Sequence, residues 1–307
     1  MMVEPSTFAD EDCRLVIFRS LQNRDGQQTM ATSIEKSSPY TLSTNTMPAT
    51  LIQPSFVSAS LRFFTPPSDG SRPFIENLRG KESSVSLDTA GFQFYNEPAK
   101  HKSFKNDEEI KREYYPESIE LIKKLTGASR VVLFDHTTRR RRPGVSGADP
   151  SNRQPAAMVH GDQTARAARN RVLRHLPESE SGELLKHRYQ IINLWRPISH
   201  PAYDWPLALA DYRSVDAEKG LTPVAFFHPG REENRETMGV SYNPALKFKY
   251  LRGMTPDEIV LIKCYDSKDD GSVAIMTPHT AFEDPTTPAD ALFRESIELR
   301  ALVFYDD

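Results

Sequence analysis

Between residues 189 and 305 the chain is a succession of short β-branched or aromatic runs, at 189–195, 206–211, 224–227, 248–251, 259–265, 273–276 and 297–305, cut apart by Pro, Gly and Asp. An amphipathic helix needs at least about 10 residues to bury a stripe, so runs this short read as strands. No helical stretch recurs between them, which argues against alternating strand and helix units and predicts an antiparallel sandwich or barrel. Upstream, 61–64, 92–95, 131–134 and 156–160 read as further strands. Residues 116–125 predict a helix with Ile119, Ile122 and Leu125 on one stripe and Gly127 as its stop, and 164–176 a polar helix rich in Ala and Arg. There is no internal repeat and no Gly-rich phosphate loop.

Residues 31–60 are crowded with Ser and Thr and carry Pro39, Pro48 and Pro54, too little apolar surface to offset chain entropy. The expected organisation is a flexible N-terminal arm over 1–55, with Met30 as a plausible alternative start, and one catalytic domain over 56–307. With 38% hydrophobic and 26% charged residues the chain can build a sizeable core, which excludes wholesale disorder. A net charge of −3 lacks the basic excess that nucleic acid would require. The apolar run at 15–18 is shorter than a signal-peptide core, and no stretch approaches the about 18 apolar residues of a membrane span. A cytoplasmic protein without membrane partners is the expectation. Cys13 and Cys264 alone support neither a disulfide framework nor a cysteine zinc site, and read as reduced thiols.

In Val159-His160-Gly161-Asp162 a His and an Asp stand two apart, so on extended backbone both project to one face and can share a metal. His279, after the run at 273–276, supplies a third ligand. Two imidazoles and one carboxylate leave three octahedral positions open, as non-haem iron oxygenases require, although the same set also suits catalytic zinc. Arg294 and Ser296 share a strand face, where a planar guanidinium and a hydroxyl can grip a carboxylate, and Arg300 has the same parity. Four side chains are candidates for substrate contact: Trp195, Asn193, His136 and Arg139. Each has a plainer reading, core aromatic for Trp195, strand-end hydrogen bonding for His136, and solvated loop for the run from Arg139 to Arg142. His228 is the rival distal ligand, and the loops 139–156 and 228–237 are long enough to act as lids.

The segments 132–137, 206–209, 254–258 and 265–267, with Val159-His160-Gly161-Asp162, Asn193-Leu194-Trp195-Arg196-Pro197, Pro278-His279-Thr280-Ala281-Phe282 and Arg294-Glu295-Ser296-Ile297-Glu298-Leu299-Arg300, resemble the fungal AsaB-like hydroxylase/desaturase family. That family includes gibberellin-desaturase-like and cephem-methoxylase-like proteins and endoperoxide-forming members. The resemblance runs from about residue 92 to 305. It implies a mainly β double-stranded β-helix, a cupin-like jelly roll with flanking helices. It also implies Fe(II) on His160, Asp162 and His279, and 2-oxoglutarate anchored by Arg294 or Arg300 with Ser296. Dioxygen and a small, apolar secondary metabolite would be the other partners, and the outcome would be hydroxylation, desaturation or a related oxidative rearrangement. A homodimer is left open. The competing readings are a metal-dependent isomerase or hydrolase and a metabolite-binding jelly roll without turnover.

Overall fold

The computed structural model describes residues 53–145, 153–226 and 235–306, and the backbone of an antiparallel hairpin, β1 (Ser6–Asp10) with β2 (Cys13–Ile17), inside the segment read as an arm. Two sheets carry the rest. The smaller runs β5 (Phe92–Asn96), β13 (Glu258–Asp266), β8 (Tyr189–Pro197), β15 (Glu295–Phe304) and β6 (Arg130–Arg140) in that spatial order, all antiparallel. The larger sheet runs β10 (Leu221–Phe226), β11 (Arg235–Val240), β7 (His160–Gly161), β14 (His279–Ala281), β9 (Leu207–Ala210), β12 (Phe248–Tyr250), β4 (Phe74–Asn77) and β3 (Phe56–Ser58). Among the strand ladders of the described residues, only that of β12 with β4 is parallel. This is the mainly β jelly roll with flanking helices that the resemblance implied.

Alternation along the strands explains why the sheets stack. On β15, Ile297, Leu299, Ala301 and Val303 point to one face, against Ile192 and Leu194 of β8 and beneath helix α2 (Tyr115–Thr126), which follows the short α1 (Asp107–Glu109). The opposite face of the same sheet presents Leu302 and Phe304 with Tyr189, Ile191 and Trp195, which meet Leu209 of the larger sheet and Ala168 and Val172 of helix α3 (Ala165–His175). A third cluster, from Val57 to Phe63 with Ala208, Ala210 and Phe248, covers the far face of the larger sheet. Burying each large aliphatic side chain contributes about 1.5–3 kcal/mol, so two-faced burial of the central strands is the main source of cohesion.

Most of the elements read from the pattern are present. Helix α2 ends where Gly127 adopts φ 73° and returns its N–H to the Lys123 carbonyl, and α3 is capped by the Thr164 side chain on the Ala167 N–H. Five expectations need correction. Of the run read as a strand at 156–160, only His160 enters a strand and Met158 makes a single bridge. The run at 61–64 forms no strand, because Arg62 and Thr65 make only single bridges, to Met158 and Ser241. Residues 273–276 have no ladder partner and run as coil, tied by the Ala274 N–H to Asp88. β6 extends through Arg139 and Arg140, expected in a loop, because Ser296 and Glu295 of β15 pair with them. β11 stands where a lid loop was expected to reach Thr237, and helix α4 (Glu178–Leu184) was not anticipated. His228 and the middle of the 139–156 loop lie outside the described residues.

Gly91, entering β5, has φ 86°, and a Cβ there would lie 2.2 Å from Thr277 Oγ1 and 2.8 Å from the Met276 carbonyl. Gly127 has a similar φ but open space around it. Gly91→Ala should therefore cost more than Gly127→Ala, whose penalty is the backbone cost alone, about 1 kcal/mol. Denaturant midpoints of the two variants check this; equal losses would mean that the packing against Thr277 is not tight.

Candidate metal centre

β7 and β14 are neighbours in the larger sheet, and their register places His160 directly opposite His279, with Leu209 of β9 next in the row. Directly opposed residues of an antiparallel pair share a face. Both imidazoles consequently project into the space between the sheets. Asp162, two residues after His160, lies on the same side, and one donor atom from each of the three falls within 4.8 Å of the others.

The rings are held in one tautomer. His160 Nδ1 lies 2.7 Å from the Met158 carbonyl and His279 Nδ1 lies 2.9 Å from the Thr277 carbonyl, so each Nδ1–H donates to backbone and each Nε2 lone pair is turned toward the cluster. Asp162 Oδ1 stands 3.3 Å from His160 Nε2 and 3.9 Å from His279 Nε2. Burial alone would raise the Asp162 pKa. With the imidazoles protonated in the metal-free site, the hydrogen bond from His160 and the charges of His279 and Arg300 outweigh that and hold the carboxyl well below its usual range. Burial, then the neighbouring His160, depresses His279, with Asp162 opposing. Two neutral imidazole nitrogens and a carboxylate oxygen converging from one side are the donor set that a divalent iron takes, so the residues fit the metal.

Arg294 lies at the start of β15, fully buried. Its backbone N–H donates to Asp204 Oδ2 at 3.0 Å, Nη1 donates to the Trp205 carbonyl at 2.6 Å, and the guanidinium sits 5.5 Å from the Trp195 ring. Among the described residues no carboxylate pairs with its side chain, and Arg294 Nε and Ser296 Oγ are both buried without a hydrogen-bond partner. Burial and the nearby charge of Arg139 push the guanidinium down to about 9. Trp205, whose carbonyl Arg294 uses, has φ 45°, a left-handed conformation uncommon for a bulky residue. Arg141 stacks on the Trp205 and Phe293 rings and binds Asp204 Oδ1 at 2.8 Å, so the turn that presents this carbonyl is clamped from outside.

Arg300 is committed differently. It donates to Asp135 at 3.1 Å and Thr137 at 3.2 Å, pairs with Glu298 at 2.7 Å, and lies 4.0 Å from Asp162 Oδ2. Of the residues expected to touch substrate, Asn193 instead bonds Asp162 Oδ2 through Nδ2 at 2.6 Å. Trp195 is buried on the inner face beneath Arg294, and Arg139 pairs with Ser296 in the β6–β15 register. His136 is not brought to the cluster: it faces the helical layer, with Nδ1 2.9 Å from Tyr115 Oη and Nε2 3.4 Å from Asp107. Sequence reasoning missed Glu298 and Cys264, whose Sγ lies 3.5 Å from Asp162 Oδ2. Glu298 was legible by parity, two residues from both Ser296 and Arg300.

A jelly roll enclosing two imidazoles and one carboxylate is the arrangement of non-haem iron oxygenases, and similarity to known proteins decides between that class and a zinc enzyme. A family model described as an oxidoreductase/YMDC permease-like domain matches residues 34–304. No helix among the described residues is long and apolar enough to cross a membrane. The hydroxylase/desaturase efuI of Hormonema carpetanum is 36% identical over 251 residues, 76% of this chain and 83% of the relative. The Fe(II)/2-oxoglutarate-dependent dioxygenase nvfI of Aspergillus novofumigatus is 33% identical over 238 residues, 74% and 81%. The solved structure of the iron and alpha-ketoglutarate-dependent endoperoxidase NvfI superposes with a TM-score of 0.66 at 28% identity, covering 82% of this chain and 97% of that one. The chain belongs to this fungal AsaB-like hydroxylase/desaturase family of Fe(II)/2-oxoglutarate-dependent oxygenases.

A histidine whose folded pKa lies below its unfolded value of about 6.5 binds fewer protons folded than unfolded, so stability falls as pH drops through that value. Asp162, held low, adds stability above about 3.9 that is lost only under stronger acid. Metal-free protein should therefore lose melting temperature between about pH 7 and 5, and His279→Gln should lose less over the same window. Parallel curves for the two proteins would contradict the assigned shift.

Proposed function

We propose that His160, Asp162 and His279 hold the catalytic iron, that Arg294 with Ser296 binds the far carboxylate of 2-oxoglutarate, and that the reaction oxidises a C–H bond of a small, apolar secondary metabolite. The observation that carries the anchor assignment is the contrast between the two arginines of one strand face. Arg300 already meets Asp135 and Glu298, whereas Arg294, buried, has only backbone acceptors and an aromatic face. A buried guanidinium pushed downward by burial gains most from an incoming carboxylate, and Ser296 Oγ stands ready as a second donor. Arg300 is then a structural charge, and the catalytic unit is 56–307.

When bound, Fe(II) with 2-oxoglutarate and dioxygen supplies the oxidising power to break a C–H bond. The chain's own contribution is placement. The Met158 and Thr277 carbonyls hold the two Nδ1 protons so that both Nε2 atoms stay available, and Trp195 and Leu209 wall the space between the sheets with apolar surface that excludes water. Hydroxylation, desaturation and endoperoxidation differ in where the substrate carbon rests, on a scale of about an ångström.

Titrating Fe(II) and 2-oxoglutarate into anaerobic protein tests the assignments together. Replacing His160, Asp162 or His279 with Ala should abolish metal binding. Arg294→Ala should keep the metal while weakening 2-oxoglutarate at least tens-fold, the equivalent of about 2–5 kcal/mol for a desolvated charge-assisted pair. If Arg300→Ala alone weakens 2-oxoglutarate, the anchor lies six residues further along β15.

A further inference from the structure

The two oxygens of Asp162 face different neighbours. Oδ1 is turned to the imidazoles. Oδ2 is turned to the smaller sheet, where it accepts a hydrogen bond from Asn193 Nδ2 at 2.6 Å, with Cys264 Sγ at 3.5 Å and Arg300 Nε at 4.0 Å. Asn193 is completely buried in the middle of β8, paired to Ile262 of β13 on one side and Arg300 of β15 on the other, so its backbone has no freedom to follow the carboxylate. The amide must present nitrogen to Asp162, since its oxygen at that distance would repel the carboxylate. Asn193 Oδ1 has no partner among the described residues, so no second hydrogen bond fixes the side chain elsewhere. Neither other neighbour can substitute. A thiol is a weak donor, and the Arg300 guanidinium is occupied by Asp135 and Glu298.

A carboxylate can bind a metal through one oxygen or through both. Three single-atom protein ligands would leave the metal open positions for 2-oxoglutarate and dioxygen, and a two-oxygen grip by Asp162 would take one of them. We propose that Asn193 is a positioning residue that withholds Asp162 Oδ2, making Asp162 a one-oxygen ligand and keeping that position open. This rests on the reading of His160, Asp162 and His279 as the metal site. It also gives the residue first considered for substrate contact a different task, acting through Asp162.

Asn193→Leu keeps the volume and removes the donor. Cobalt(II), titrated into the anaerobic metal-free protein, reports affinity and, through its visible bands, coordination. The expected result is cobalt bands shifted toward higher coordination as Asp162 Oδ2 becomes free to bind, whereas mere loss of an outer partner would weaken affinity by about 10–100-fold with the bands unchanged and overturn the proposal. The melting temperature of the metal-free variant, read alongside, should change little. Unchanged affinity and bands would overturn the proposal while leaving the metal site standing, and so would a lowered melting temperature with unchanged bands, the mark of a merely structural side chain. If Asn193→Leu does not fold, Asn193→Ser, with a shorter donor, is judged by the same two criteria. Asp162→Ala separates the two claims: cobalt bound with full affinity there would sink the metal-site reading itself.

Discussion

One cross-strand pair, His160 opposite His279, fixes the candidate centre. β7 and β14 are among the shortest strands of the fold, and neither could hold a register alone. Register is imposed from outside, by β11 on one side of β7 and β9 on the other side of β14, so a single hydrogen-bonded row across β11, β7, β14 and β9 sets the separation of the imidazoles. A slip of one residue in either strand would turn its histidine to the opposite face, where Ala208, Val159 and Phe282 pack. The centre therefore depends on strands that contribute no ligand.

Asp162 is constrained from the other sheet. Its charge would be costly between two apolar faces, and the structure offsets that cost with contacts on both oxygens, imidazoles on one and the Asn193 amide on the other. Arg300 lies among Asp135, Glu298 and Asp162, so one guanidinium offsets part of the negative charge of three carboxylates. The larger sheet and the residue that follows β7 bring the three candidate donors together, and the smaller sheet supplies the side chain that meets the far oxygen of Asp162.

Strand alternation made the central strands legible, because β8, β13 and β15 are long enough for the two-residue period to repeat. His160, Asp162 and His279 could be named because a His and an Asp two apart on extended backbone have only one geometry. What periodicity could not give was which runs find a partner: 156–160 reads as a strand but only its last residue pairs, β11 was not read at all, and 273–276 reads as a strand yet has no ladder partner among the described residues. Contacts between elements distant in sequence were equally hidden. Nothing in the run from Gln190 to Pro197 says that Asn193 meets Asp162, since that depends on how the sheets face each other.

The clearest case of hidden information is the β-bulge in β6. Arg300 pairs with Asp135 and Ala301 with Leu133, so Phe134 is an extra residue with no counterpart on β15. Without it, Arg300 would face Phe134, and Asp135 would sit opposite Leu299 on the helical side of the sheet. The bulge inverts the parity of everything that follows: Asp135, Thr137 and Arg139 turn inward to meet Arg300, Glu298 and Ser296, while His136 turns outward to Tyr115. Two arginines that are equivalent by parity on β15 thereby become different. Arg300 acquires a carboxylate from β6, whereas beside Arg294 the same strand brings another cation, Arg139, which helps to lower its pKa. One inserted residue on a neighbouring strand thus determines which arginine meets a carboxylate of the chain and which meets another cation.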